Sequence, residues 1–141
     1  NYCRDKSQPI LHFDPEEGCR LFRDALRSDI DDVQRGTTPE GIHLGAMAGT
    51  VGIVLRRYAG VRMGPDGIDL DPELPAAVRR LAFRLHWRGR WLKLEVTADR
   101  VSVTADRQEA AGPAAGAVPI RVHGARLEVA PGETLEVVYG P

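Results

Sequence analysis

The sequence predicts an α+β protein in which helices come first and strands follow. Residues 15–59 carry apolar side chains at helical spacing, whereas residues 67–139 alternate apolar and polar side chains between turn signals. Segregated helices and strands, rather than alternating β–α–β units, are typical of this class. The 141 residues are 43% hydrophobic and 28% charged, as in ordinary globular proteins.

Composition and charge argue against several classes of protein. No apolar run approaches the roughly 18 residues of a membrane span. A net charge of −1 argues against a nucleic-acid binder that works through a basic field. Cys3 and Cys19 allow at most one disulfide and form no zinc motif, so we expect a cytoplasmic protein. We also expect neither a metal nor a cofactor. The chain starts without Met, and we expect a processed chain or a piece of a longer one.

The first helix is predicted from about Asp14 to Val33. Asp14 can cap it, Pro15 suits its first position, and acidic residues follow in the first turn. One face of this helix is apolar and is predicted to cover a core. Its members are Leu21, Phe22, Ala25, Leu26 and Ile30.

The second helix is predicted from near Pro39 to near Gly60, and its interior is apolar nearly all round. Such a helix is normally buried on several sides. The interior, residues 44–54, also contains three glycines, each of which costs about 1 kcal/mol relative to alanine. One amphipathic helix cannot cover it, so we expect this helix to belong to a larger helical body. In isolation it should self-associate or bind a partner.

The second half of the chain is predicted to form a small antiparallel β-sheet or sandwich. A turn cluster at residues 63–67 precedes six strands, with tight turns at residues 88–90 and 98–99. The strands are marked by the alternating apolar sets Leu81/Phe83/Leu85/Trp87, Leu92/Leu94/Val96, Val101/Val103, Ile120/Val122, Leu127/Val129 and Leu135/Val137. Trp87 and Trp91 are predicted to form a cross-strand aromatic pair, with sugar stacking as the less favoured alternative.

Residues 36–43, Gly-Thr-Thr-Pro-Glu-Gly-Ile-His, form a polar entry into the second helix. Two capping registers fit: Thr38 as the N-cap before Pro39, or Thr37 as the N-cap with Glu40 closing a capping box. Both place backbone N–H groups of residues 40–42 at the helix mouth, where an anion is favoured.

His43 lies about one turn into this predicted helix and leans back toward its mouth. Together with the hydroxyls of Thr37 and Thr38 it could hold phosphate. The alternative is a capped helix with His43 hydrogen-bonded internally, and Glu40 argues against a bound anion.

Four acidic residues lie close together around this segment and are predicted to form a solvated acidic helix end rather than a metal site. They are Asp29, Asp31, Asp32 and Glu40.

Residues 29–34 and 36–50 resemble glycoside hydrolase family 65, whose members include maltose, trehalose and kojibiose phosphorylases and trehalase-type hydrolases. The similarity continues through residues 57–60, 87–92 and 127–134. It implies that residues 14–63 are the last helices of an (α/α) barrel and residues 64–141 a C-terminal β-sheet domain. Residues 1–13 form a divergent N-terminal segment.

The resemblance implies an inverting enzyme for α-glucosyl disaccharides of the trehalose, kojibiose or maltose type. The general-acid glutamate of the family lies upstream of the matched segment, so no catalytic residue is expected in this chain. The residues that match the family's phosphate loop are Thr37, Thr38, Gly41 and His43, with inorganic phosphate as co-substrate. The alternative is a stand-alone, non-catalytic module that binds a partner protein or a carbohydrate. A reading frame that extends upstream would favour the enzyme.

Overall fold

The computed structural model describes residues 15–31, 36, 41–107 and 116–139. It has two compact units, Asn1–His43 and Leu44–Pro141. Eight strands and two α-helices occur in the described ranges, which confirms the α+β class. None of the helices in these ranges is long and apolar enough to cross a membrane.

Helix α1 spans Pro15–Arg27 and is shorter than the sequence predicted. Its polar face carries charge pairs one turn apart, Arg20 with Asp24 and Arg27 with Asp31. Its apolar face is largely open, since Leu21, Leu26 and Ile30 are exposed. The prediction that this face covers a core is therefore wrong for the part of the chain that the structure describes.

Helix α2 spans Leu44–Ile53 and continues as a π-helical turn over Val54–Tyr58. The prediction of a start near Pro39 is wrong, because residues 41–43 are not helical and Gly41 has φ +106°. Thr50 is the buried residue of α2, whereas the Leu44 side chain is 76% exposed. As expected for a helix that lacks its cover, α2 exposes apolar surface.

The strands form two four-stranded sheets, and all six predicted strands occur. Sheet 1 has the order β1-β2-β6-β7 and sheet 2 the order β3-β4-β5-β8. The strands are β1 Arg62–Gly64, β2 Gly67–Leu70, β3 Arg80–Trp87, β4 Arg90–Thr97, β5 Arg100–Ala105, β6 Val118–Val122, β7 Ala125–Val129 and β8 Thr134–Val138. Strands β1 and β2 replace part of the predicted turn cluster.

One pairing departs from the predicted antiparallel pattern. Strand β2 runs parallel to β6, with Ile68 opposite Ile120 and Leu70 opposite Val122. A parallel pair requires a crossover connection, and here the connection between β2 and β6 includes three strands of sheet 2. The prediction of an all-antiparallel arrangement is therefore wrong for this pair, which depends on a contact between distant segments.

The two sheets share one apolar core, as in a sandwich. Alternate side chains of each strand point inward, so period-two patterning selects the buried set. Sheet 2 contributes Leu92, Leu94 and Val96, and sheet 1 contributes Ile68 and Ile120, all almost fully buried. The core therefore lies where the alternation predicted it.

Glycine is required where the π-helical turn meets the sandwich. Gly60 has φ +62°, and a Cβ there would lie 2.0 Å from the carbonyl oxygen of Asp71. Its carbonyl accepts the N–H of Asp71, and the carbonyl of Tyr58 accepts the N–H of Glu73. This close backbone approach anchors the end of the helical segment against the sheet.

The predicted Trp87–Trp91 pair is wrong, because the two side chains lie on opposite faces of sheet 2. The two-residue turn Arg88–Gly89 sets Trp87 opposite Arg90 and His86 opposite Trp91. Trp87 packs against the core and donates its Nε1–H to the carbonyl of Gly64 at 3.0 Å. Trp91 points outward.

Candidate functional site

The structure describes two of the four residues that were predicted to contact phosphate, Gly41 and His43. Thr37 and Thr38 lie outside the described residues. Gly41 is exposed, and its φ of +106° favours glycine although a Cβ would meet nothing within 4 Å. His43 is the residue immediately before α2, not a residue one turn inside it.

A carboxylate–imidazole pair fixes His43. The Asp29 carboxylate accepts the backbone N–H of His43, with both oxygens 3.2 Å from the nitrogen. Its Oδ1 also lies 2.5 Å from Nδ1 of the His43 ring. The Asp29 side chain is 14% exposed and that of His43 is 35% exposed. One side chain thus holds both the backbone and the ring of His43.

This contact determines which ring nitrogen is available to a ligand. A carboxylate only accepts hydrogen bonds, so Nδ1 of His43 carries the hydrogen in the contact with Asp29. Nε2 is then left for a ligand. When the ring is protonated, Nε2–H can donate to an anion; when it is neutral, Nε2 can accept from a protonated phosphate oxygen.

The electrostatics of the pair follow from the same contact. The side-chain hydrogen bond from His43 lowers the pKa of Asp29 below its ordinary value, burial opposes this, and the backbone N–H of His43 lowers it further. Asp29 therefore remains an anion at neutral pH. A carboxylate beside a protonated imidazole neutralises part of its charge, while the hydrogen bond fixes the orientation of the ring.

Sequence reasoning assigned Asp29 to a solvated acidic helix end and missed this role. The two residues are 14 positions apart, and no helical or strand period connects them. The one signal in the sequence was that Asp29 opens the first stretch resembling family 65. Asp31, by contrast, pairs with Arg27 on the same helical end. No group of three His, Cys, Asp or Glu side chains converges among the described residues to suggest a metal.

The structure also differs from the predicted geometry at the start of α2. Because α2 begins at Leu44, the backbone N–H groups of Gly41 and Ile42 precede its first turn, and that of His43 already donates to Asp29. The dipole argument for an anion at residues 40–42 therefore does not hold in its original form. The described part of the loop offers the His43 ring edge and an open glycine instead.

Comparison with known proteins finds one family match and several relatives. Residues 61–129 match the family model of the glycosyl hydrolase family 65 C-terminal domain. An uncharacterized glycosyl hydrolase of Mycobacterium tuberculosis is 43% identical over 89 residues, which are 63% of this chain and 7% of that protein. Trehalose 6-phosphate phosphorylase of Lactococcus lactis is 29% identical over 92 residues, or 65% of this chain and 12% of that one.

Kojibiose phosphorylase of Halothermothrix orenii is 30% identical over 91 residues, which cover 64% of this chain and 12% of that enzyme. The chain thus spans 7% to 12% of the length of these curated relatives. A solved structure, a putative kojibiose phosphorylase from the human microbiome, has the same fold with a TM-score of 0.74 at 23% identity. That match covers 90% of this chain and 17% of the solved one. The family match and these relatives together support a glycosyl hydrolase family 65 C-terminal domain at residues 61–129.

Proposed function

We propose that this chain is the C-terminal part of a longer family 65 enzyme that acts on α-glucosyl disaccharides of the trehalose, kojibiose or maltose type. The observation that carries the proposal is the family 65 C-terminal domain at residues 61–129, together with phosphorylases among the relatives. In this proposal residues 14–63 close an (α/α) barrel, and the sandwich braces it.

The loop of residues 36–43 would face inorganic phosphate as co-substrate. Thr37, Thr38 and Gly41 would supply hydroxyl and backbone contacts, and His43 a ring contact from Nε2. The Asp29–His43 contact supports this role, because it engages Nδ1 rather than Nε2 and orients the ring before a ligand arrives.

The proposed reaction inverts the anomeric carbon. A phosphate oxygen forms a bond to that carbon while the bond to the leaving sugar oxygen breaks, and a general acid elsewhere in the longer protein protonates the leaving oxygen. An α-glucoside would then yield β-glucose 1-phosphate. The residues of this chain would bind and orient the anion, and the rest of the longer protein would supply the acid.

The test is an activity assay on the protein expressed from the whole reading frame, with trehalose, kojibiose and maltose, each with and without phosphate. We expect phosphate-dependent release of β-glucose 1-phosphate. His43→Ala should raise the KM for phosphate at least tenfold, and Asp29→Asn should raise it less. Asp31→Asn is the matched control, because Asp31 contacts Arg27 rather than the loop histidine.

Two results would reject the proposal. One is an absence of turnover with all three disaccharides. The other is a KM for phosphate that His43→Ala leaves unchanged. Release of free glucose with no phosphate requirement would identify a hydrolase and remove the co-substrate from the proposal.

The alternative is a non-catalytic module that binds a partner protein or a carbohydrate. The exposed apolar surface of α2 favours a partner of some kind, either the barrel of the longer protein or a second copy. A reading frame that begins near residue 1 would select this alternative.

A further inference from the structure

The outer face of sheet 2 carries an exposed aromatic side chain that the proposed function does not use. Trp91 is 45% exposed, although the residues on either side of it, Arg90 and Leu92, are almost fully buried. The register places it on the outward face of β4, next to Lys93 on the same face. Its indole therefore contributes nothing to the shared core of the sandwich.

The Trp91 ring contacts two side chains of the neighbouring strand β3. The Arg84 guanidinium lies 5.0 Å from the centre of the indole, and the His86 ring meets it edge-on at 4.9 Å. Arg84 also forms an ion pair with Asp106 at 3.5 Å, between two exposed side chains. The guanidinium covers part of the indole, and the 45% of Trp91 that stays exposed is the part that a ligand could contact.

A depression of about 440 Å³ lies beside this ring. Its polar lining includes Lys93, Thr104, Asp106 and Arg107. The last residue lies over Gly132, where a Cβ would be 2.4 Å from Cγ of Arg107. Small-ligand sites have this size and combine an apolar wall with a few polar groups.

The charges in the depression do not balance. Arg84 and Asp106 neutralise each other, but Lys93 and Arg107 form no ion pair with any residue that the structure describes. Two cations beside an aromatic surface suit a ligand with one apolar face and one anionic group. A pyranose ring offers C–H groups on its face, and a phosphate or carboxylate substituent supplies the charge.

We propose that the depression between Trp91, Lys93 and Arg107 binds a pyranose that carries an anionic group. The sugar ring stacks on Trp91, and its phosphate or carboxylate lies between the two cations. This site uses none of the residues of the loop at 36–43 and does not depend on the proposed enzyme activity.

The test is a titration of the 141-residue chain with glucose 6-phosphate, followed by the two indole N–H resonances in nitrogen-15 NMR. The Trp91 signal should shift saturably. The Trp87 signal should stay in place, because its N–H is bonded to the carbonyl of Gly64. Glucuronate as a second probe distinguishes a carboxylate from a phosphate ligand, and binding of either one supports the proposal.

Variants separate stacking from charge. Trp91→Ala should weaken binding about fivefold or more, the range expected for an aromatic contact. Lys93→Ala should also weaken it and reduce its dependence on salt, without removing a packed side chain. Arg126→Ala is the matched control, since it removes one exposed positive charge from the outer face of sheet 1. His43→Ala should leave the Trp91 shift unchanged.

Three outcomes would overturn this proposal. They are no saturable shift at Trp91 with either probe, equal affinity for inorganic phosphate alone, and equal affinity for uncharged glucose. Unchanged binding by a folded Lys93→Ala variant would remove the charge from the argument. That variant keeps the test decisive if Trp91→Ala does not fold.

Discussion

At the scale of single residues, Asp29 is the group that gives the loop histidine a defined position. His43→Ala removes the hydrogen bond that most lowers the pKa of Asp29, so this pKa should rise toward its ordinary value. A carbon-13 titration of the side-chain carboxyl measures it. Glu95 is an internal control, because Arg80, not His43, lowers its pKa.

The sign of the linked stability follows from that lowered pKa. A carboxyl whose pKa is lower in the folded state stabilises the fold above its unfolded pKa and loses this contribution as the pH falls through its folded pKa. Acid unfolding of the wild-type chain should therefore show a dependence near and below pH 4 that His43→Ala reduces. An Asp29 titration curve that is the same in both proteins would contradict this account of the contact.

At the scale of elements, helix α2 is unusual because its apolar residues face solvent. Leu44 and Val51 are both exposed in the structure. Replacing both with Gln keeps good helix formers and should abolish concentration-dependent self-association, with little change in the free energy of unfolding. Sedimentation velocity across a concentration series measures it. Met63→Gln is the control, an equally simple loss of an exposed apolar side chain outside the helix.

If the double variant self-associates as strongly as the wild type, the surface through which the chains associate lies outside Leu44 and Val51. A wild-type chain that remains monomeric at high concentration would contradict the prediction directly.

At the scale of the whole molecule, the two sheets of the sandwich should unfold together because they share one core. Ile120→Ala in sheet 1 deletes a buried side chain and should cost about 2–5 kcal/mol of unfolding free energy. Tryptophan fluorescence reports this loss from sheet 2, which contains Trp87 and Trp91. Val138→Ala, at an exposed position, should change it by no more than about 0.5 kcal/mol.

A fluorescence transition whose midpoint Ile120→Ala leaves unchanged, while another probe shows sheet 1 unfolding earlier, would show two independent sheets. That result would contradict the single apolar core that the two sheets share in the structure.

Six of the eight strands of the sandwich, β3 to β8, could be predicted from the sequence alone. Period-two alternation and two-residue turns act over a few neighbouring residues, so the strand at Leu92 and the turn at Arg88–Gly89 could be predicted locally. The sequence of the strands also resembles glycoside hydrolase family 65, and residues 61–129 match the C-terminal domain of that family.

Contacts between distant segments could not be predicted from the sequence and are known only from the tertiary structure. The parallel pairing of β2 with β6 and the Asp29–His43 contact each join residues that no local period relates. The apolar pattern of α2 predicted burial against a larger helical body, and the described residues, which supply no such cover, leave Leu44 exposed. Local free energies favour a helix or a strand, but what that element packs against depends on which surfaces the rest of the chain brings to it.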